Sequence, residues 1–102
     1  MTAVGSYLPA NVVTNEALSS FVDTDDAWIR RRTGIAQRHL VAEGETTADL
    51  ACNAAAKALA NAGLTGGDID IIIIATTTPD NTFPSTATKL QHMIEAKDAI
   101  AF

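Results

Sequence analysis

Several residue types that carry common functions are scarce in this sequence of 102 residues. A single cysteine cannot form an intrachain disulfide bond, so a reducing, cytoplasmic setting is expected. Seven Lys and Arg against twelve Asp and Glu give a formal net charge of -5. Nucleic-acid binding is therefore not expected, because affinity for phosphate needs a basic surface.

Long apolar runs are also missing. The longest unbroken run, Ile71 to Ala75, has five residues, far fewer than a membrane-spanning helix needs, and no signal-peptide pattern opens the chain. We therefore expect no membrane partner. The hydrophobic share of 47% is still sufficient for a core. It is mostly alanine and isoleucine, which favours an α/β protein with small-residue helices packed on a β-branched sheet.

Local patterns predict helices that alternate with strands. Ile69 to Ala75 is the clearest strand, and its near-continuous isoleucines indicate a central parallel strand buried on both faces. Thr76 to Thr78 then follow its carboxyl end, where open α/β sheets bind ligands. Strands are also predicted at 35–41 and from 99 onwards. The predicted helices run from Thr14 towards Val22, from Thr24 or Asp25 to Gly34, from Thr46 or Thr47 to Gly63, and from Ser85 or Thr86 with an apolar stripe at Ala87, Leu90 and Ile94. The third of these helices has an apolar stripe at Leu50, Ala54, Ala58 and Ala62.

Few residues here are typical of a catalytic or metal site. Cys52 lies in mid-helix among alanines, where cysteine usually serves as a small hydrophobic residue. His39 and His92 are predicted to be solvated or hydrogen-bonded structural histidines. One cysteine and two distant histidines do not form a metal-ligand pattern. Phosphate-binding glycine motifs are absent as well.

The segment from Asp23 to Gly34 places the only tryptophan beside three arginines. One interpretation is structural: Asp26 and Arg30 form an i,i+4 surface pair, and Trp28 covers the edge of the core. The other is functional, because an indole can stack on a flat ring while an arginine binds phosphate. Trp28 and Arg32, one turn apart, could then hold a nucleotide-like ligand.

Four motifs occur in one order along the chain: GSYLP at 5–9, VVTNEAL at 12–18, VDTDDAWIRRRTGI at 22–35 and ATTTPDNTFPSTA at 75–87. Together they resemble the beta-ketoacyl-acyl carrier protein synthase III family over essentially the whole sequence. The resemblance implies the N-terminal part of a thiolase-like αβαβα fold, with helices packed on a mixed, largely buried sheet. Residues 1–102 would then be an incomplete N-terminal half, and the second half would be absent from this chain.

The resemblance also implies a function and a set of binding residues. The family condenses an acyl-CoA primer, typically acetyl-CoA, with malonyl-acyl carrier protein; it is an acyltransferase, works as a homodimer and uses coenzyme A thioester as substrate without a further cofactor. By the family's pattern, Trp28 stacks on the CoA adenine, Thr24 hydrogen-bonds that base and Arg32 lies near the CoA phosphates. Phe83 reaches across the dimer and shapes the partner's acyl pocket.

The family's catalytic residues are not expected in this chain. Its nucleophilic cysteine follows shortly after the position of Phe102, its histidine and asparagine come from the second half, and Cys52 does not align with the nucleophile. The 102 residues alone are therefore predicted to be inactive. Two alternatives remain: a related thiolase-fold synthase of polyketide or quinolone type, and a catalytically inactive fragment or binding module that keeps only the CoA-binding part.

Overall fold

The computed structural model describes all of residues 1–102 and divides them into two compact units, one of residues 8–44 and one of residues 1–7 with 45–102. No helix has the length and apolar character needed to cross a membrane. The mixture of helices and strands agrees with the predicted α/β class. In chain order the elements are β1 (Asn11–Thr14), α1 (Asn15–Ser19), α2 (Asp26–Thr33), β2 (Gln37–Leu40), α3 (Thr47–Ala62), a 3-10 turn (Gly66–Asp68), β3 (Ile71–Ile72), α4 (Thr86–Met93) and β4 (Ile100–Ala101).

The unit of residues 8–44 is built on an antiparallel pair of strands. Asn11 of β1 lies opposite Leu40 of β2, and Thr14 lies opposite Gln37. The strand β2 falls within the predicted range 35–41. The strand β1 was not predicted, because only two valines mark it and its partner lies more than twenty residues away.

Helix α1 is shorter than predicted. It begins as expected, with the Thr14 side chain accepting a hydrogen bond from the Ala17 amide at 3.1 Å. It ends at Ser19 instead of continuing to Val22. The hydroxyls of Ser19 and Ser20 donate to backbone carbonyls three residues earlier, at 2.6 and 2.7 Å, and such bonds compete with a regular helix.

Helix α3 has the predicted boundaries, but a different face meets the core. Its capping box is complete: the Thr46 hydroxyl accepts from the Asp49 amide, and the Asp49 carboxylate accepts from the Thr46 amide. The residues on the core side are Ala48, Ala51, Cys52 and Ala55. The predicted stripe lies partly under the N-terminal segment, where a Cβ on Gly5 would fall 2.5 Å from the Ala54 carbonyl oxygen.

The core of the larger unit lies between its helices and one face of a parallel pair of strands. Ile71 of β3 lies opposite Ile100 of β4, and backbone bonds extend the pairing to Ile74 and Phe102. Ile72 is buried with Ala87, Leu90, Ala96 and Ala99. The prediction of burial on both faces is wrong for this chain: Ile71 and Ile73 are 55% and 76% exposed, because its helices cover only the Ile72 face.

Candidate functional site

Helix α2 carries most of the candidate site, and local chemistry explains its limits. The Asp25 side chain accepts a hydrogen bond from the Trp28 amide at 2.7 Å and so caps the first turn. Gly34 ends the helix with φ of +73°, a left-handed conformation that glycine adopts without a steric penalty. The acidic first turn and basic last turn match the helix dipole, as predicted.

Asp26 connects α2 to its surroundings. Both of its carboxylate oxygens accept from Arg30 Nε, at 2.8 and 2.9 Å, which confirms the predicted i,i+4 pair. Asn15 Nδ2 donates to the same carboxylate at 2.9 Å. The hydrogen bond from Arg30, followed by that from Asn15, lowers the pKa of Asp26 below its ordinary value, because both stabilise the charged form.

A network of hydrogen bonds centred on the buried Asn15 side chain holds α2 in place. Asn15 is fully buried, and its Nδ2 also donates to the Ile35 carbonyl at 2.7 Å. Its Oδ1 accepts from Arg38 Nη2 of β2 at 2.8 Å. This role was not predictable from local sequence, because an asparagine beside a helix cap is typical of a solvated position. One side chain, that of Asn15 in α1, thus connects the first residue of α2, the residue after its C-cap and β2.

An open pocket of about 590 Å³ lies beside α2 within the unit of residues 8–44. Trp28 lines it with a side chain that is 47% exposed. Two polar atoms of the lining, Thr24 Oγ1 and Arg38 Nη1, are buried without a hydrogen-bond partner in the protein. The lining residues are Leu18, Val22, Asp23, Thr24, Asp25, Trp28, Ile29, Thr33, Ile35 and Arg38.

Arg32 belongs to the same helix but does not line this pocket. Its guanidinium carbon lies over the Trp28 ring, 5.6 Å from the ring centroid, in cation–π geometry. The structure thus brings Trp28 together with both predicted partners, Thr24 across the pocket and Arg32 on the indole. Arg38, which also lines the pocket, was not predicted as a site residue.

Phe83 lies in the other unit, on the segment between β3 and α4. Its side chain is 87% exposed, which is high for a large apolar residue. A cavity of about 320 Å³ lies near it, at the carboxyl ends of β3 and β4. Thr76, Thr82 and Phe102 are among the lining residues, so the cavity lies at the end of the strands where a ligand site is expected.

The cysteine and the two histidines, the other residues with reactive side chains, lie outside the pocket beside α2. Cys52 is partly buried against the core of its unit, as expected for a small hydrophobic residue. His39 Nδ1 lies 2.6 Å from the Pro9 carbonyl oxygen, and His92 is exposed. No group of three or more His, Cys, Asp or Glu side chains is arranged to hold a metal ion.

Comparison with known proteins identifies relatives along nearly the whole chain, although no protein-family model matches it. Beta-ketoacyl-[acyl-carrier-protein] synthase III of Paramagnetospirillum magneticum is 58% identical over 98 residues, which is 96% of this chain and 30% of the relative. The crystal structure of 3-oxoacyl-[acyl-carrier-protein] synthase III from Aquifex aeolicus superposes with a TM-score of 0.90 at 46% identity, covering 99% of this chain and 32% of that one.

A solved structure of a polyketide pathway enzyme is also similar in fold. The priming beta-ketosynthase of the R1128 polyketide pathway has a TM-score of 0.90 at 31% identity, with 99% of this chain and 30% of that chain covered. The chain thus spans about a third of the length of the relatives it matches. In sequence and in its thiolase-like α/β fold, this chain matches the N-terminal part of beta-ketoacyl-[acyl-carrier-protein] synthase III proteins along nearly its whole length.

Proposed function

We propose that these residues form the coenzyme A binding part of a beta-ketoacyl-acyl carrier protein synthase III. The complete enzyme condenses an acyl-CoA primer, typically acetyl-CoA, with malonyl-acyl carrier protein and releases carbon dioxide and free CoA. It is an acyltransferase of type II fatty acid synthesis and acts in the cytoplasm. The CoA thioester is its substrate, and the condensation needs no further cofactor.

The pocket beside α2 is the observation that carries this proposal. A half-exposed indole offers a face to a flat base, and stacking of a base on an aromatic side chain contributes ~1–3 kcal/mol. Thr24 lines the same pocket and has a hydroxyl without a hydrogen-bond partner in the protein, and a hydroxyl can both donate to and accept from a base edge. Arg32 supplies a cation within one helical turn of the indole for the CoA phosphates.

The same residues account for binding but not for acyl transfer. Acyl transfer needs a thiolate activated by a helix N-terminus or by a cationic neighbour, and Cys52 lies inside α3 against the core. We therefore propose that the nucleophile of the enzyme lies outside these 102 residues. They form an incomplete N-terminal half, and the chain alone is inactive.

Phe83 supports the dimeric part of the proposal. A phenylalanine that is 87% exposed on a connecting segment leaves most of its apolar surface in water. Insertion into a second copy of the protein would bury that surface. We propose that the enzyme is a homodimer and that Phe83 shapes the acyl pocket of the partner.

A second function, primer condensation in polyketide synthesis, is favoured by one observation. The R1128 priming ketosynthase has the same TM-score as the Aquifex aeolicus enzyme, 0.90, although its identity is lower, 31% against 46%. The two functions use the same fold and differ in the primer that the acyl pocket accepts. The higher identity favours fatty acid synthesis.

The proposal is tested with the full-length protein that contains these residues. Purified enzyme is incubated with malonyl-acyl carrier protein and either acetyl-CoA or longer and branched acyl-CoA primers, and the 3-oxoacyl product is measured by mass spectrometry. Product from acetyl-CoA supports the first function, and preference for a long or branched primer supports the second. The absence of product from every primer would contradict both.

The inactivity of the isolated chain is tested separately. The 102-residue protein, confirmed by circular dichroism to contain helix, is assayed under the same conditions. We expect no condensation product, while acyl-CoA still perturbs the nuclear magnetic resonance signal of the Trp28 indole. Condensation by this chain would disprove the assignment of the nucleophile to another part of the protein.

A further inference from the structure

The segment between β3 and α4, residues 73–85, carries Phe83 and is largely exposed. An exposed segment of this length has many conformations unless specific contacts restrict it. Three of its residues, Thr78, Asp80 and Asn81, are bonded to helices. The helix residues that bind Thr78 and Asn81, Thr47 and Lys89, both contact Asp80 as well.

Asp80 binds the beginning of α3 with both carboxylate oxygens. Oδ1 accepts from the Thr47 amide at 2.8 Å, and Oδ2 accepts from the Ala48 amide at 3.2 Å. These amides lie in the first turn, where backbone N–H groups lack helical partners and the helix dipole favours a negative charge. The Thr47 hydroxyl adds a bond to the Thr78 carbonyl at 2.9 Å.

Helix α4 holds the same carboxylate from its other side. Lys89 Nζ lies 3.7 Å from Asp80 Oδ2 and also donates to Asn81 Oδ1. The Asp80 side chain is only 8% exposed, so solvent screens this ion pair less than a surface pair. Asp80 thus connects two helices to the segment, three residues before Phe83.

We propose that Asp80 is a positioning residue for primer selection: it fixes the segment that presents Phe83 to the partner's acyl pocket. The inference rests on the proposed function, in which Phe83 forms a wall of that pocket. Because a displacement of about 1 Å can change a rate by about a hundredfold, the position of Phe83 would determine which acyl chains fit. In this proposal Asp80 acts on the primer only through the position of Phe83.

The test compares Asp80→Ala and Asp80→Asn with Asp98→Asn in the full-length enzyme. Asp98 is exposed in the turn before β4 and serves as a matched control. The readout is the ratio of kcat/KM for acetyl-CoA to that for butyryl-CoA. We expect Asp80→Ala to change this ratio about tenfold, a change comparable to the effect of a methylene in an apolar pocket. Asp80→Asn keeps an acceptor oxygen, so its ratio should lie between those of Asp80→Ala and the wild-type enzyme. Asp98→Asn should leave the ratio at the wild-type value.

A merely structural role would lower the melting temperature and both kcat/KM values together without changing their ratio, and that result would overturn the proposal. Lys89→Met, which keeps the side-chain length and lacks the charge, gives a second measurement if Asp80→Ala does not fold. It should change the ratio in the same direction, and an unchanged ratio would overturn the proposal equally.

Hydrogen exchange separates this inference from the proposed function, because it needs no activity. In Asp80→Asn or Lys89→Met, we expect faster amide exchange at Thr47 and Ala48 and in the segment around Phe83 than in the wild-type protein. Unchanged exchange would show that Asp80 does not hold the segment, whatever the enzyme condenses. If the variants exchange faster but the wild-type enzyme makes no 3-oxoacyl product, the role of Asp80 in holding the segment is supported. Only the proposed function is then contradicted.

Discussion

Arg32 lies over the indole of Trp28, with its guanidinium carbon 5.6 Å from the ring centroid. The two residues are one turn apart on α2, so the helix itself sets this geometry. A guanidinium on one face of the indole leaves the other face for a flat ring. We therefore propose different roles for the two residues. Trp28 binds the base, and Arg32 orients the indole and provides positive charge for phosphate.

Replacement of Trp28 by alanine in the full-length enzyme should weaken acyl-CoA binding. Loss of one stacking contact costs ~1–3 kcal/mol, which corresponds to an increase in KM for acyl-CoA of about 5-fold to 150-fold. Trp28→Phe, which keeps an aromatic face, should give a smaller increase. Steady-state kinetics with saturating malonyl-acyl carrier protein measures both variants. An unchanged KM in Trp28→Ala would return Trp28 to the role of covering the core edge.

Arg32 and Arg30 provide a matched pair for the phosphate prediction. Arg30 is engaged with Asp26, whereas Arg32 lies against Trp28. We expect Arg32→Ala to raise KM for acyl-CoA and to reduce its dependence on salt, because a charge contact to phosphate is screened by ions. Arg30→Ala should leave both quantities near the wild-type values. Equal effects of the two variants would show that only the general charge of α2 matters.

Gly66 should be intolerant of any side chain, in contrast to its neighbour. A Cβ at Gly66 would lie 1.7 Å from the Ile94 carbonyl oxygen, while a Cβ at Gly67 would meet nothing closer than 3.7 Å. Gly66→Ala must displace backbone at the end of α4, and we expect a loss of stability of about 2–4 kcal/mol or failure to fold. Gly67→Ala should remain within about 1 kcal/mol of wild type in thermal unfolding. Similar melting temperatures for the two variants would contradict the close packing of the turn against Ile94.

Asp49 should contribute to the acid sensitivity of the fold. The hydrogen bond from the Thr46 amide, and to a smaller extent the bond from the Thr46 hydroxyl, lowers the pKa of Asp49 below its ordinary value of 3.8. The contribution of this carboxylate to stability is therefore present above pH 3.8 and is lost as the pH falls through the lowered pKa. We expect Asp49→Asn to be less stable than wild type near pH 7 and the two to converge below pH 3.8. Denaturant unfolding across this range measures the difference, and a constant difference at all pH values would contradict the role of the charge.

Much of the local structure was predictable from the sequence because it depends on neighbouring residues. Side-chain chemistry predicted Thr14 as one cap and left two candidates for each of the others, of which the structure has Asp25 and Thr46. Gly34 and Gly63 were predicted from their freedom to adopt positive φ. The end of α1 was not predictable in the same way. There the serine hydroxyls compete with an apolar pattern that continues to Val22.

The candidate site was predicted in part. Its aromatic and basic residues lie within one short segment, so the sequence alone drew attention to Trp28 and Arg32. Arg38 was missed, because only the pairing of β2 with β1 and its bond to Asn15 bring it to the pocket. The contacts of Asp80 with Thr47 and Ala48 join residues more than thirty positions apart, and no local pattern indicates them.

The sequence by itself determined the α/β class, the helix limits that capping sets, and the tryptophan–arginine segment, because each depends on residues within a few positions of one another. The tertiary structure alone decided which face of α3 meets the core, that Ile72 is buried while Ile71 and Ile73 are exposed, and which side chains surround the pocket beside α2. The continuous run of isoleucines indicates how much apolar surface the strand carries. Which part of that surface leaves water depends on which helices pack against it, and that is a property of the folded chain.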